Sequence, residues 1–77
     1  MTPLQQRVVE EKADLDRRRA NLGYFLGTYQ FADLAPDERR LLRRQHCLMC
    51  SLSVVLGDRI AVFEKSTGGP QGEVGND

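Results

Sequence analysis

The chain has 77 residues, with 11 basic and 11 acidic side chains, one His, no Trp and 40% hydrophobic residues. That length allows one small domain with little room for a self-sufficient core. The zero net charge excludes a protein that coats nucleic acid or an anionic membrane by bulk charge. The basic set is nevertheless lopsided, with nine Arg to two Lys. Arg is the side chain that grips phosphate or carboxylate in a planar, two-pronged way, so a local anion site stays open.

Thr2-Pro3 predicts a helix opening, because Thr caps free amides and Pro fits the first turn. Leu4, Val8, Leu15, Leu22 and Leu26 then recur at helical spacing, with Lys12 and Arg19 on the same stripe. A first helix is expected from Pro3 to about Gly27, where glycine ends helices readily. Gly23 weakens it by up to ~1 kcal/mol relative to Ala. Thr28 to Ala35 reads as a compact connector, with Tyr29, Phe31 and Leu34 as plugs over the turn. Pro36, Asp37 and Glu38 begin a second helix, since acids favour the positive end of the helix dipole.

That second helix, expected over about 36–64, carries Leu42, Met49, Leu56 and Phe63 at spacings of seven, with Leu41, Leu48, Val55 and Val62 beside them. The apolar surface is wider than one partner helix needs. Residues 65–77 hold four of the seven Gly and one apolar residue, Val74, which predicts a disordered tail. The fold class is all-α: an antiparallel two-helix hairpin over residues 1–64. Two helices leave the second apolar column in water, so a homo-oligomeric helical bundle, a dimer or higher, is expected. A turn near Phe31 would set Arg19 opposite Arg43 and Arg44, and would bring Arg59 to the open end near Leu4 and Arg7.

Other classes find little support. The N-terminus has no apolar signal region, and the longest uncharged stretches, Ala20 to Ala32 and Gln45 to Gly57, are 13 residues each against roughly 20 needed to span a bilayer. A cytoplasmic protein that touches no membrane is expected. Cys47 and Cys50 form a CxxC beside His46, but zinc sites usually need a second pair, and redox pairs open a helix after a strand. They read as small apolar fillers in a reducing compartment. The single His has no partner acid at a telling spacing, and neither a phosphate loop nor a nucleophile elbow is present. No enzyme activity, cofactor or metal is expected.

Two sets of polar residues remain. Arg17, Arg18, Arg19, Arg39, Arg40, Arg43 and Arg44 form either a solvated, salt-bridged face or an anion site assembled where protomers meet. Lys12, Arg19, Gln45 and Arg59 interrupt the apolar stripes, where they set register or bind a ligand. Arg7, Lys12 and Arg59, with Gln6 as an adaptable donor and acceptor, can converge on a phosphate if a second chain closes the site. Tyr24 or Tyr29 would stack on a base.

The strings QQRVVEEKADLDRR (Gln5 to Arg18) and VLGDRIAVF (Val55 to Phe63), with Leu22, Phe25 and Leu26 between them, resemble a family of small phage-encoded helical-hairpin proteins. The resemblance covers about residues 4–63. Members usually read LxPxE, which Leu34 to Glu38 keeps apart from Ala35 at the capping position, and they tend to carry Tyr where Leu52 stands. The hairpin is similar to that of anti-CBASS and anti-Thoeris sponge proteins of phages. The resemblance implies an oligomer in the host cytoplasm that sequesters a cyclic oligonucleotide or a cyclic ADP-ribose isomer between protomers without cleaving it. Arg7, Lys12 and Arg59 are the phosphate clamps so implied, and with Gln6, Arg19 and Tyr24 they make up the expected ligand-binding residues. The alternative is a helical protein–protein module or inhibitor acting through the apolar face of the second helix.

Overall fold

Thr2 starts the first helix of the computed structural model, which describes residues 1–68. Its hydroxyl accepts the Gln5 N–H at 3.1 Å, and the Gln5 side chain accepts the Thr2 N–H at 3.1 Å. This reciprocal cap satisfies two amides that the first turn leaves without partners. The helix, α1, runs Pro3–Phe25 and stops two residues short of the expected glycine end.

The connector is more ordered than the sequence suggests. Thr28 caps a single helical turn, α2 (Tyr29–Ala32), by accepting the Phe31 N–H at 3.2 Å while donating to the Phe25 carbonyl at 2.7 Å. One threonine thus closes α1 and opens α2. Phe31, 3% exposed, stands edge-on to Phe25 with ring centroids 6.0 Å apart. Arg43 lies over the same ring, 5.0 Å from its centroid.

The third helix, α3, runs Pro36–Gly68 with Asp37 and Glu38 in its first turn and Lys65 in its last. The tail expected from Lys65 therefore begins later. Residues 65–68 continue the helix, where a lysine complements the negative end of the dipole. The rest of that predicted tail, 69–77, lies outside the described residues.

α1 and α3 pack antiparallel, and three close approaches define their register: 12 with 57, 16 with 53, and 23 with 46. Two of these involve glycines in helix interiors. A Cβ on Gly23 would stand 3.0 Å from His46 Nε2, and one on Gly57 would stand 3.2 Å from Lys12 Cε. Each glycine costs a helix about 1 kcal/mol against Ala, and each is where the facing side chain needs the space. This register places Arg19 level with Cys50 rather than with Arg43 and Arg44, a correction of seven residues or about 10 Å along the axis. It places Arg59 level with Glu10, about 4.5 Å along the axis from Arg7 and about twice that from Leu4. The first turns of α3 project past the end of α1 and are covered by the connector, a folding-back that a simple turn about Phe31 omits.

The result is a rod, 55 × 21 × 16 Å, with a radius of gyration of 17.6 Å. A compact chain of this length would have about 11.5 Å. Among the described residues the buried apolar side chains are Val8, Phe31 and Leu56. Along α3, Leu41, Leu48, Leu52, Val55 and Val62 are 44–60% exposed. By length and composition α3 is apolar enough to cross a membrane, and 11% of its most apolar 18-residue window is buried. Counting uncharged runs missed this, because Asp58 and Arg59 break the run while the apolar positions continue on either side along one stripe.

Candidate functional site

Polar chemistry concentrates midway along the hairpin. The Asp16 carboxylate accepts from Lys12 Nζ at 2.7 Å on Oδ2, and from Ser53 Oγ at 2.5 Å and Arg19 Nε at 3.4 Å on Oδ1. The two basic residues lie one helical turn to either side of Asp16, on the face that α1 turns toward α3. Ser53 comes from the facing helix and is 7% exposed. The hydrogen bond from Lys12, then that from Ser53, lowers the Asp16 carboxyl from 3.8 to about 2, against the opposing effect of partial burial. Hydrogen bonds to the ionised form are a direct way to hold a carboxylate charged.

What this cluster can do follows from that. A carboxylate that releases its proton near pH 2 is a fixed anion and a poor base, and the hydroxyl it holds is shut away from solvent. The cluster pins one helix against the other. It also carries two positive charges to one negative, with Lys12 29% and Arg19 36% exposed, so a net positive charge faces outward.

The six residues expected to bind a ligand do not meet at one point within a protomer. Lys12 and Arg19 are joined through Asp16. Gln6 is exposed and donates to Glu10 at 3.4 Å. Arg7 and Arg59 are exposed near the open end of the hairpin, and neither has an ion-pair partner among the described residues. Tyr24, 82% exposed, sits at the other end, about 25 Å from Arg7 along the axis at 1.5 Å per residue. Joining Tyr24 to Arg7 therefore needs a second chain.

Two further features complete the surface, of which the first escaped the sequence and the second falls on the apolar column expected to lie in water. An open cleft of about 550 Å³ at the hairpin turn is lined by Gly27, Tyr29, Phe31, Arg39 and Arg43 among others. Arg39 Nη1 donates there to the Ala32 carbonyl at 3.1 Å and to the Leu34 carbonyl, so it holds the connector in place. The Thr28-x-x-Phe31 cap was the available signal. The second is a groove of about 460 Å³ on the outer side of α3, lined by Leu41, Arg44, Gln45, Leu48, Met49 and Leu52.

Of the remaining Arg residues, Arg17 and Arg18 both pair with Asp14, the latter at 2.7 Å, and Arg40 pairs with Asp37 at 3.6 Å. Cys47 is exposed and Cys50 half-buried, with its Sγ 3.9 Å from His46 Nδ1. Among the described residues no group of three or more His, Cys, Asp or Glu is placed to hold a metal ion.

The family model described as Sequestin matches residues 2–62. No curated protein and no solved structure matches the chain.

Proposed function

The chain belongs to the Sequestin family over residues 2–62, and from that premise we propose that it is a non-catalytic sponge. It binds a cyclic nucleotide immune signal, a cyclic oligonucleotide or a cyclic ADP-ribose isomer, between protomers and holds it intact, as a phage anti-defence protein acting in the host cytoplasm. The observation that carries this reading is the family match, whose name speaks for sequestration rather than catalysis. The chemistry on the hairpin is compatible with it. Exposed Arg7 and Arg59, and the net positive Lys12–Asp16–Arg19 cluster, supply what phosphates require. Exposed Tyr24 supplies a face for a base. Ser53 and Asp16 give no route to hydrolysis, since one is buried and the other is a weak base.

The test is thermal unfolding of the purified protein with a panel of cyclic oligonucleotides and cyclic ADP-ribose isomers. A ligand at 100 times its Kd stabilises by about 2.7 kcal/mol, and heating should release it chemically unchanged. Phosphate clamping by Arg also weakens as ionic strength rises. No shift with any ligand of the panel, or recovery of a cleaved product, contradicts the proposal.

One observation favours a second reading. The outer groove between Leu41 and Leu52 is apolar and open, which suits a protein partner or inhibitor target. In that case binding strengthens with salts that favour apolar burial instead of weakening.

A further inference from the structure

The outer side of α3 carries two parallel columns, each repeating every seven residues. The first is the apolar stripe: Leu41, Gln45, Leu48, Leu52, Val55, Arg59 and Val62. All of its residues are exposed. The second runs beside it as Asp37, Arg44, Ser51, Asp58 and Lys65, again all exposed. A strict seven-residue repeat, unlike the 3.6 period of a helix lying on a globular core, keeps one seam facing a long partner helix.

Each column matches itself in reverse, the first by like residues and the second by opposite charges. The stripe is apolar, polar, three apolar, polar, apolar about Leu52, with Gln45 and Arg59 as its two polar positions. The flanking column, reversed about Ser51, sets a base against each acid: Lys65 against Asp37 and Arg44 against Asp58. A surface that closes on itself by a two-fold axis must have this property, since every contact occurs twice. Among the described residues neither Arg44 nor Asp58 has an ion-pair partner within the protomer.

We propose that α3 pairs antiparallel with α3 of a second copy about a two-fold axis at Ser51 and Leu52. Arg44 then faces the partner's Asp58 and Asp37 faces the partner's Lys65, at both ends. Gln45, whose carbonyl accepts, lies beside the partner's Arg59, whose guanidinium donates. Leu41 and Leu48 meet the partner's Val62 and Val55, so each protomer's apolar half-stripe fills the 460 Å³ groove of the other. A parallel pairing carries the two charged columns to opposite sides of the seam, where Arg44 and Asp58 do not meet, and leaves both Arg59 residues side by side. Antiparallel pairing also sets the Tyr24 end of one hairpin alongside the Arg7 end of the next, the two ends that one protomer keeps about 25 Å apart.

The inference rests on the assembly part of the proposed function and needs no ligand. Its test is sedimentation equilibrium of the full chain and of Arg44→Asp, Asp58→Arg and the double variant, all changed at exposed positions that leave the hairpin folded by circular dichroism. Each single change puts two pairs of like charges face to face, and should weaken the dimer about tenfold; the double variant should recover most of that loss. A second arm mixes Leu48→Cys with Val55→Cys in a Cys47→Ser, Cys50→Ser background, where the mixed disulfide should dominate over either self-disulfide. A single charge reversal that strengthens association, a dominant Leu48→Cys self-disulfide, a monomer at all concentrations, or association only with phospholipid vesicles each overturns the inference. A cross-linked antiparallel dimer that ignores every cyclic nucleotide leaves it standing and removes only the ligand.

Discussion

The two sides of α3 do different work. Its inner side carries buried Ser53, bonded to the Asp16 that Lys12 also holds on α1, and His46 over Gly23, together with the buried Leu56. Its outer side carries Leu41, Leu48, Leu52, Val55 and Val62, and lies open. Polar contacts inside the hairpin select one register, because a slip of one turn takes Ser53 from the Asp16 carboxylate and moves His46 off Gly23. They contribute little net burial energy. The apolar outer side has the opposite character: ample burial energy and nothing in the protomer to bury it against. The inside therefore specifies the hairpin, and the outside awaits a partner.

Replacing the residues of each side should separate these roles. Leu56 belongs to the small apolar core, and Leu56→Ala should cost about 2–5 kcal/mol, enough to unfold a hairpin with so few buried side chains; urea unfolding followed by circular dichroism measures it. Leu48→Glu on the outer side should do the reverse, keeping helicity near that of the parent while abolishing association, as read by sedimentation. If Leu48→Glu unfolds the chain as Leu56→Ala does, the two sides are not distinct.

Smaller effects test the inner side alone. Ser53→Ala removes one donor to Asp16 and should destabilise by about 1 kcal/mol. It should also raise the Asp16 carboxyl back toward its ordinary value. Because folding lowers that group from 3.8 to about 2, its contribution is complete above about pH 5 and fades as the pH falls through 4 toward 2. Acid unfolding of Ser53→Ala should show a shallower loss over that window. Smallest of all is Gly57→Ala, where the new methyl meets the Lys12 stem at 3.2 Å. Its helix-propensity gain of up to about 1 kcal/mol should appear in a Lys12→Ala background and be largely cancelled in the parent.

Much of this was legible in the sequence, and what was not has a common cause. The Thr2 cap, the acidic start of α3 and the antiparallel hairpin follow from signals within a few residues of one another. The register does not, since it depends on Gly23 admitting His46 and Gly57 admitting Lys12 across the helix pair. In the sequence those glycines read only as weak points. Lys12 and Arg19 stood out as polar intrusions on an apolar stripe. That Asp16 and Ser53 join them depends on a contact spanning 37 residues. Arg7, Arg59 and Tyr24 are exposed and lie apart within one protomer, and periodicity within one chain carries no information about how a second chain would place them.

The central claim, that this hairpin is one part of an assembly that holds a small anionic ligand, is tested most directly by native mass spectrometry of the protein taken from expressing cells exposed to the cyclic signal. The account predicts an even number of protomers carrying an added mass equal to an intact cyclic nucleotide. Single chains without added mass, at concentrations where the helices are fully formed, contradict it.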